Sequence, residues 1–233
     1  TGTLIAPFVN AEITEYLVLE DAFPNGRPAL EGAGGYLTDR TTVEKAEKMK
    51  VGTCLNPLHT ALAVYGCLLG YTSIAAEMGD ADLKALVEHI AAESLPVVED
   101  PGILSPRAFI DEVLHERFPN PAIPDTPQRI AADTSQKLPV RYGGTLRRYA
   151  RQSEQALAGL EFAPLVFAGW CRYLLGVDDR GNAMPVSPDP MLPQLQAHLK
   201  GIEVGRPDSL AGQLRPILSN AALFGVDLYA AGL

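Results

Sequence analysis

Residues 47–59, EKMKVGTCLNPLH, place charged and hydrogen-bonding side chains in a stretch that otherwise reads as core. An amide, Asn56, and an imidazole, His59, stand three apart, which on a helix sets both on one face and within reach of a single ligand oxygen. Two amines precede them, Lys48 and Lys50, with Glu47 ahead of both. Polar groups in a buried segment must be paired or used. Used together, they are the parts for gripping a hydroxyl or carbonyl oxygen while a base takes its proton. Hydride removal from an alcohol needs such a base, a role that a desolvated lysine fills. Paired, they are ordinary: Asn56 serves backbone groups at Pro57, His59 is a bonded core histidine, and the lysines form a solvated face.

Either role requires a scaffold, and the sequence predicts a helical one. A helix begins at Asp39 or Thr41, with Glu44 suited to its first turn, and a long apolar course through TCLNPLHTALAVYGCLLGY reads as the central buried helix. Asp80 or Asp82 caps a helix over 83–94, whose Leu83, Leu86, Val87 and Ile90 share a face. Ser105-Pro106 and Thr126-Pro127 are two further starts, the second followed by QRIAADTSQKL with a stop at Pro139. Helices are expected again at 145–160, 163–175, 192–200 and 209–219. The Pro-, Gly- and Asp-rich segment 178–190 reads as a loop, and GAGG at 32–35 as a turn, since Leu37 stands where a dinucleotide fingerprint needs its last glycine. One β-like run lies at 16–19, after which Pro24-Asn25-Gly26 turns the chain. With no βαβ alternation and no repeat, the fold class is all-α with one or two short strands near the start.

Composition bounds the function. The 233 residues are 47% hydrophobic and 20% charged, enough for one large core. A net charge of −9 without a basic, aromatic-laced run excludes nucleic acid as a natural partner. No apolar run has the length of a membrane span. Cys54, Cys67 and Cys171 read as small core hydrophobes in a reducing, cytoplasmic setting. The four histidines have no metal-ligand spacing, and Ser135, inside DTSQK, is suited to capping or substrate contact but not to nucleophilic catalysis. The first residues, TGTLIAPFVNAEITEY, have neither an initiator Met nor a signal-peptide plan, and read as the interior of a longer chain.

Three stretches in order, YLVLEDAFPNGRP, the 47–59 segment and RIAADTSQKLP, together resemble the polyol-specific long-chain dehydrogenases, the family of mannitol dehydrogenase, fructuronate (mannonate) reductase and tagaturonate reductase. The resemblance implies a multi-helical C-terminal substrate domain, like that of 6-phosphogluconate dehydrogenase, over 39–233. Residues 1–38 would then connect it to an N-terminal Rossmann domain that binds NAD or NADP, with no metal. It implies Lys50 as the acid/base, Asn56 and His59 as the groups that hold and polarise the reacting oxygen, and Glu47 as a proton relay. Arg129 and Lys137 match substrate-facing basic residues that would meet a sugar-acid carboxylate. The implied substrate is an open-chain sugar acid, D-mannonate and D-fructuronate first. A neutral polyol such as mannitol is the second reading, and a helical binding module without chemistry the third.

The spacing departs from the family in one respect. The family has four residues between lysine and asparagine, whereas five separate Lys50 from Asn56. On a straight helix, at about 100° per residue, Lys50 falls opposite His59. A π-type bulge or an irregular start near Gly52 would absorb the extra residue. Lys48, which falls almost over His59 on an ideal helix, is the alternative base.

Overall fold

The computed structural model describes residues 16–210 and 212–233, so the first fifteen residues of the expected connector lie outside it. What is described of the connector holds two short strands, β1 (Val18–Glu20) and β2 (Tyr36–Thr38), paired in parallel, with a 3-10 turn at Leu30–Ala33 between them. Gly34 follows that turn at φ 87°, so GAGG is a turn as its composition implies. Helix α1 (Arg40–Met49) then starts where Asp39 accepts the Thr42 amide, and it buries Ala46 and Met49.

Instead of one helix through residues 53–71, the chain makes a π turn at Lys50–Cys54 and restarts as α2 (Asn56–Leu69). Pro57 explains the break. It has no N–H for the Thr53 carbonyl, so a continuous α-helix would lose a bond here in any case. The restart puts Pro57 in the first turn of α2, where no donor is required. Helix α2 is apolar nearly all round because α-helical neighbours cover it: Leu58, Ala61, Leu62 and Val64 have no exposed surface. Gly70, in the left-handed region, ends it.

A short α3 (Ile74–Glu77) and α4 (Ala81–Ser94) follow, the latter capped by Asp80 and burying Leu83, Leu86, Val87 and Ile90 as the spacing predicts. Ser105 and Pro106 open α5 (Pro106–Glu112), which runs into a second π turn at Val113–Arg117. Thr126 caps α6 (Pro127–Ile130). Asp133, at φ 54°, then separates it from α7 (Thr134–Arg141). Pro139 does not stop this helix as the sequence suggests. It lies inside α7, which runs on to Arg141 because the helix packs on the Lys50–Cys54 turn and on the C-terminal segment.

The expected helix over 145–160 is two: α8 (Gly143–Gln152) and α9 (Glu154–Ala158), divided at Ser153, whose side chain caps the second by accepting the Ala156 amide. Helix α10 (Phe162–Tyr173) supplies the central aromatics Phe167 and Trp170. The 178–190 segment is irregular, with one antiparallel bridge between Val177 and Ala183. After α11 (Leu192–His198), the expected 209–219 helix is reduced to a 3-10 turn at Pro207–Leu210 and a short α12 (Arg215–Leu218), because Gly212 takes φ 83° between them. The described chain ends with α13 (Ala221–Phe224) and turns.

The core surrounds α2, which packs on α4, α6 and α10. Cys54, Cys67 and Cys171 are buried, free thiols in it, pushed up to about 12 by burial. Among the described residues no helix is long and apolar enough to cross a membrane.

Candidate active site

The π turn is the element that positions the candidate base. The Leu55 amide reaches back five residues to the Lys50 carbonyl at 3.1 Å, so this turn holds one residue more than an α turn. From Lys50 to His59 a straight helix would rotate about 900°, leaving the two opposite. With one residue absorbed the rotation is about 800°, and Lys50 returns to within about a quarter-turn of His59. Its Nζ lies 5.4 Å from the centre of the Tyr16 ring, and Tyr16 donates its hydroxyl to the Ala46 carbonyl at 3.0 Å.

Lys48 goes elsewhere. Its Nζ stands 3.5 Å from Glu99 Oε2, and Arg148 pairs with the same carboxylate. These groups, with Glu47, Gly52 and Arg151, line a cleft of about 520 Å³ behind the π turn. Glu47 is exposed in that cleft, while Asn56 and His59 do not line it.

Side chains from the α7–α8 junction, from α8 and from α2 itself hold the π turn and the start of α2. Tyr142 donates to the Pro57 carbonyl at 2.7 Å, Thr145 to the Gly52 carbonyl at 3.3 Å, and Thr60 to the Asn56 carbonyl at 2.9 Å. The Gly52 carbonyl, whose partner in the π pattern would be the N–H that Pro57 lacks, is thereby supplied with a donor by Thr145. The Asn56 side-chain amide has no hydrogen-bond partner among the described residues, so it is available to a ligand.

His59 is 8% exposed and packs against Phe118, ring centres 5.2 Å apart. Its Nε2 lies 3.2 Å from Asp125 Oδ2, and Arg117 Nη1 is 3.3 Å from that same oxygen. Neither contact is aligned well enough to count as a hydrogen bond, so both are electrostatic. Arg129 pairs with the other oxygen, Oδ1. The contact with His59 and the two guanidinium charges hold the Asp125 carboxyl at about 2 despite its burial. Burial pushes the His59 imidazole below its usual range, against the pull of Asp125, so the ring is neutral near pH 7. A neutral ring beside a carboxylate carries its proton on Nε2, which leaves Nδ1 as an acceptor.

The two basic residues expected at the substrate are already engaged. Arg129 is exposed and salt-bridged to Asp125. Lys137 donates Nζ to the carbonyls of Ile130 and Ala132, bracing the bend between α6 and α7, and burial lowers its proton affinity. Ser135 donates to Asp189, its hydroxyl at 2.6 Å and its amide at 2.7 Å.

Sequence reasoning missed Asp125 and Arg141. Between prolines, Asp125 reads as a turn residue. Arg141 lies four residues after Lys137, and that spacing on a helix was a usable signal. Its Nη1 is 2.5 Å from Thr60 Oγ1 and 3.5 Å from the Asn56 carbonyl.

Residues 42–229 match the family model described as the mannitol dehydrogenase C-terminal domain. The chain belongs to this family. It is 58% identical to a D-mannonate oxidoreductase of Thermotoga maritima, aligning 99% of itself with 43% of that protein. It is 37% identical to a mannitol 2-dehydrogenase of Emericella nidulans, over 91% of this chain and 39% of the other. A solved mannitol 2-dehydrogenase of Pseudomonas fluorescens, in ternary complex with NAD and D-mannitol, superposes with a TM-score of 0.73 at 32% identity, covering 92% of this chain and 42% of that one. The chain therefore spans less than half the length of these relatives, and its all-α architecture is that of the family's C-terminal domain.

Proposed function

We propose that this chain is the substrate-gripping domain of a nicotinamide-dependent dehydrogenase acting on a secondary alcohol of an open-chain sugar acid, with D-mannonate and D-fructuronate as the first pair. The 58% identity to a D-mannonate oxidoreductase supports the acid over the neutral polyol. The observation that supports the chemistry is the π turn, which absorbs one residue and leaves Lys50 within about a quarter-turn of His59, while Lys48 is held on Glu99.

The described residues fit the alcohol end of such a reaction. They include no strand-turn-helix unit with a glycine-rich loop for a pyrophosphate: β1 and β2 pair over three residues each, and the glycines between them form a turn. On this reading NAD or NADP is held by an N-terminal nucleotide-binding domain, joined through the connector that includes residues 16–38, and the substrate lies between the two domains. When bound, the nicotinamide takes up or returns the hydride.

This chain's residues handle the oxygen and its proton. In oxidation, Lys50 as a neutral amine accepts the hydroxyl proton, and in reduction its ammonium returns that proton to the oxygen. The Asn56 amide donates to the same oxygen and stabilises the charge that builds on it. His59, with Nε2 committed to Asp125, offers Nδ1 to a substrate hydroxyl, a narrower role than polarising the reacting oxygen. Glu47, exposed in the cleft beside the π turn, passes the proton to water. Arg129 and Lys137 contribute positive potential at the acid's end of the site. The metabolic setting is cytoplasmic on this reading, in keeping with three free, buried thiols.

The test uses the full-length enzyme that carries this domain. Lys50→Ala should lower kcat at least about a hundredfold, as loss of an acid/base group does, and Lys48→Ala should leave it near normal. Normal turnover in Lys50→Ala combined with its loss in Lys48→Ala would reverse the assignment of the base. Absence of NAD- or NADP-linked oxidation of any sugar acid or polyol would end the dehydrogenase reading.

A further inference from the structure

Among the described residues, four cations besides Lys50 are grouped around Asn56 and His59, and three of them have their oxygens. Arg117 and Arg129 share Asp125, and Lys137 is spent on two backbone carbonyls. Arg141 is different. It is half-buried at the last turn of α7, and among the described residues it touches only neutral oxygens, Thr60 Oγ1 and the Asn56 carbonyl. Both contacts use Nη1, which leaves Nε and Nη2 without a hydrogen bond among the described residues.

A partly desolvated guanidinium without a carboxylate is unfavourable unless something else supplies the anion. Its field is felt nearby: the Arg141 charge works against protonation of both His59 and Lys137. A chain with a net charge of −9 thus carries, at one spot beside its ligand-facing amide, a surplus of positive charge. The geometry of that surplus is specific. A guanidinium is a planar fork that matches a carboxylate with two parallel N–H donors, and the unused edge of this one is Nε and Nη2. Nη1 lies 3.5 Å from the backbone of the residue whose side chain would hold the reacting oxygen, so one open-chain ligand can meet both groups.

We infer that Arg141 is the residue that binds the substrate carboxylate and so selects a sugar acid over a neutral polyol. The inference rests on the dehydrogenase reading above. Thr60 holds the guanidinium in position, and Arg129 and Lys137, already satisfied by protein oxygens, add field without being the direct partner of the acid.

The experiment is steady-state kinetics of the full-length enzyme and its Arg141→Gln and Arg141→Lys variants on D-mannonate and on D-mannitol. Where turnover of the neutral polyol is too slow to follow, its competitive inhibition constant takes its place. Arg141→Gln should lower kcat/KM for the acid about a hundredfold, the scale of a lost charge-assisted pair, and lower the acid-to-polyol ratio at least about thirtyfold. Arg141→Lys should lie between, since an ammonium restores the charge but not the fork. Equal losses on both substrates would make Arg141 a positioning residue of the α2 start and overturn the inference. So would a raised KM for NAD with the ratio kept, since the anion met would then be a cofactor phosphate. A wild-type enzyme that oxidises no sugar acid or polyol with NAD or NADP refutes the dehydrogenase reading itself. A wild type active on D-mannonate whose Arg141→Gln variant keeps the ratio refutes only the role of Arg141.

Discussion

Glu77 is fully buried at the end of α3, pressed against Gly66 of α2, and among the described residues neither carboxyl oxygen has a hydrogen-bond partner. Burial, reinforced by Asp80, pushes its pKa from 4.5 to about 9. The folded state therefore keeps a proton that the unfolded chain releases above 4.5. Stability from this group is greatest below pH 4.5 and falls as pH rises toward 9. Glu77→Gln replaces the carboxylic acid by a group of the same shape that cannot ionise, so the penalty disappears. Each pH unit is worth 1.36 kcal/mol. The variant should therefore gain on the wild type by about 1 kcal/mol at pH 5, about 3 at pH 7 and about 5 at pH 8, on top of any constant offset from the amide. The pH 7 figure needs only a folded pKa above 7, since it is set by the 2.5 units between 4.5 and 7.

Urea unfolding of both proteins at pH 5, 6, 7 and 8 reads this directly, followed by the fluorescence of Trp170, the sole tryptophan and a fully buried one. The expected result is a stability difference that widens in favour of Glu77→Gln by about 1 kcal/mol per unit from pH 5 to 8. A difference that stays flat over those three units would mean that the carboxyl is ionised in the fold or solvated there, and the argument from burial would fail.

The same contact makes Gly66 irreplaceable in this packing. A Cβ there would collide with the buried Glu77 carboxyl, so Gly66→Ala should destabilise by about 2–3 kcal/mol in urea. Adding Glu77→Ala should recover most of that loss, and strictly additive effects would show that the two residues do not collide. Asp125→Ala removes the carboxylate from the side chain of Arg117, itself only 12% exposed, and should lower stability by about 3 kcal/mol at pH 7. Thermal unfolding indistinguishable from wild type would refute its part as the anchor of this cluster.

The helix starts were legible because their chemistry is local. Asp39, Ser105 and Thr126 each cap within three residues of themselves, and the four apolar positions of α4 lie on one face whatever the rest of the chain does. Helix ends were less legible. Pro139 ends a helix by the local rule, yet α7 runs past it, since packing against the π turn outweighs one missing donor. The break at Ser153 and the collapse of the 209–219 helix both depend on residues, Ser153 and Gly212, that tolerate helix neighbours in one context and end helices in another.

The candidate site divides along the same line. Lys50, Asn56 and His59 could be found because they lie within ten residues, and even the π turn was foreseeable, since a count of five intervening residues demands a bulge if the lysine is to face the histidine. Asp125 and Arg141 come from 66 and 82 residues beyond His59, and only the packing of α6 and α7 on α2 brings them to it. Pro57 links the two halves of the problem. By separating the turn that carries Lys50 from the helix that carries His59, it leaves the Gly52 carbonyl to Thr145, while Arg141 and Tyr142 reach the Asn56 and Pro57 carbonyls at the start of α2. On the proposed reading, the irregularity that would aim the lysine also packs against the helix that ends in Arg141, and a regular helix at this place would offer a different surface to both.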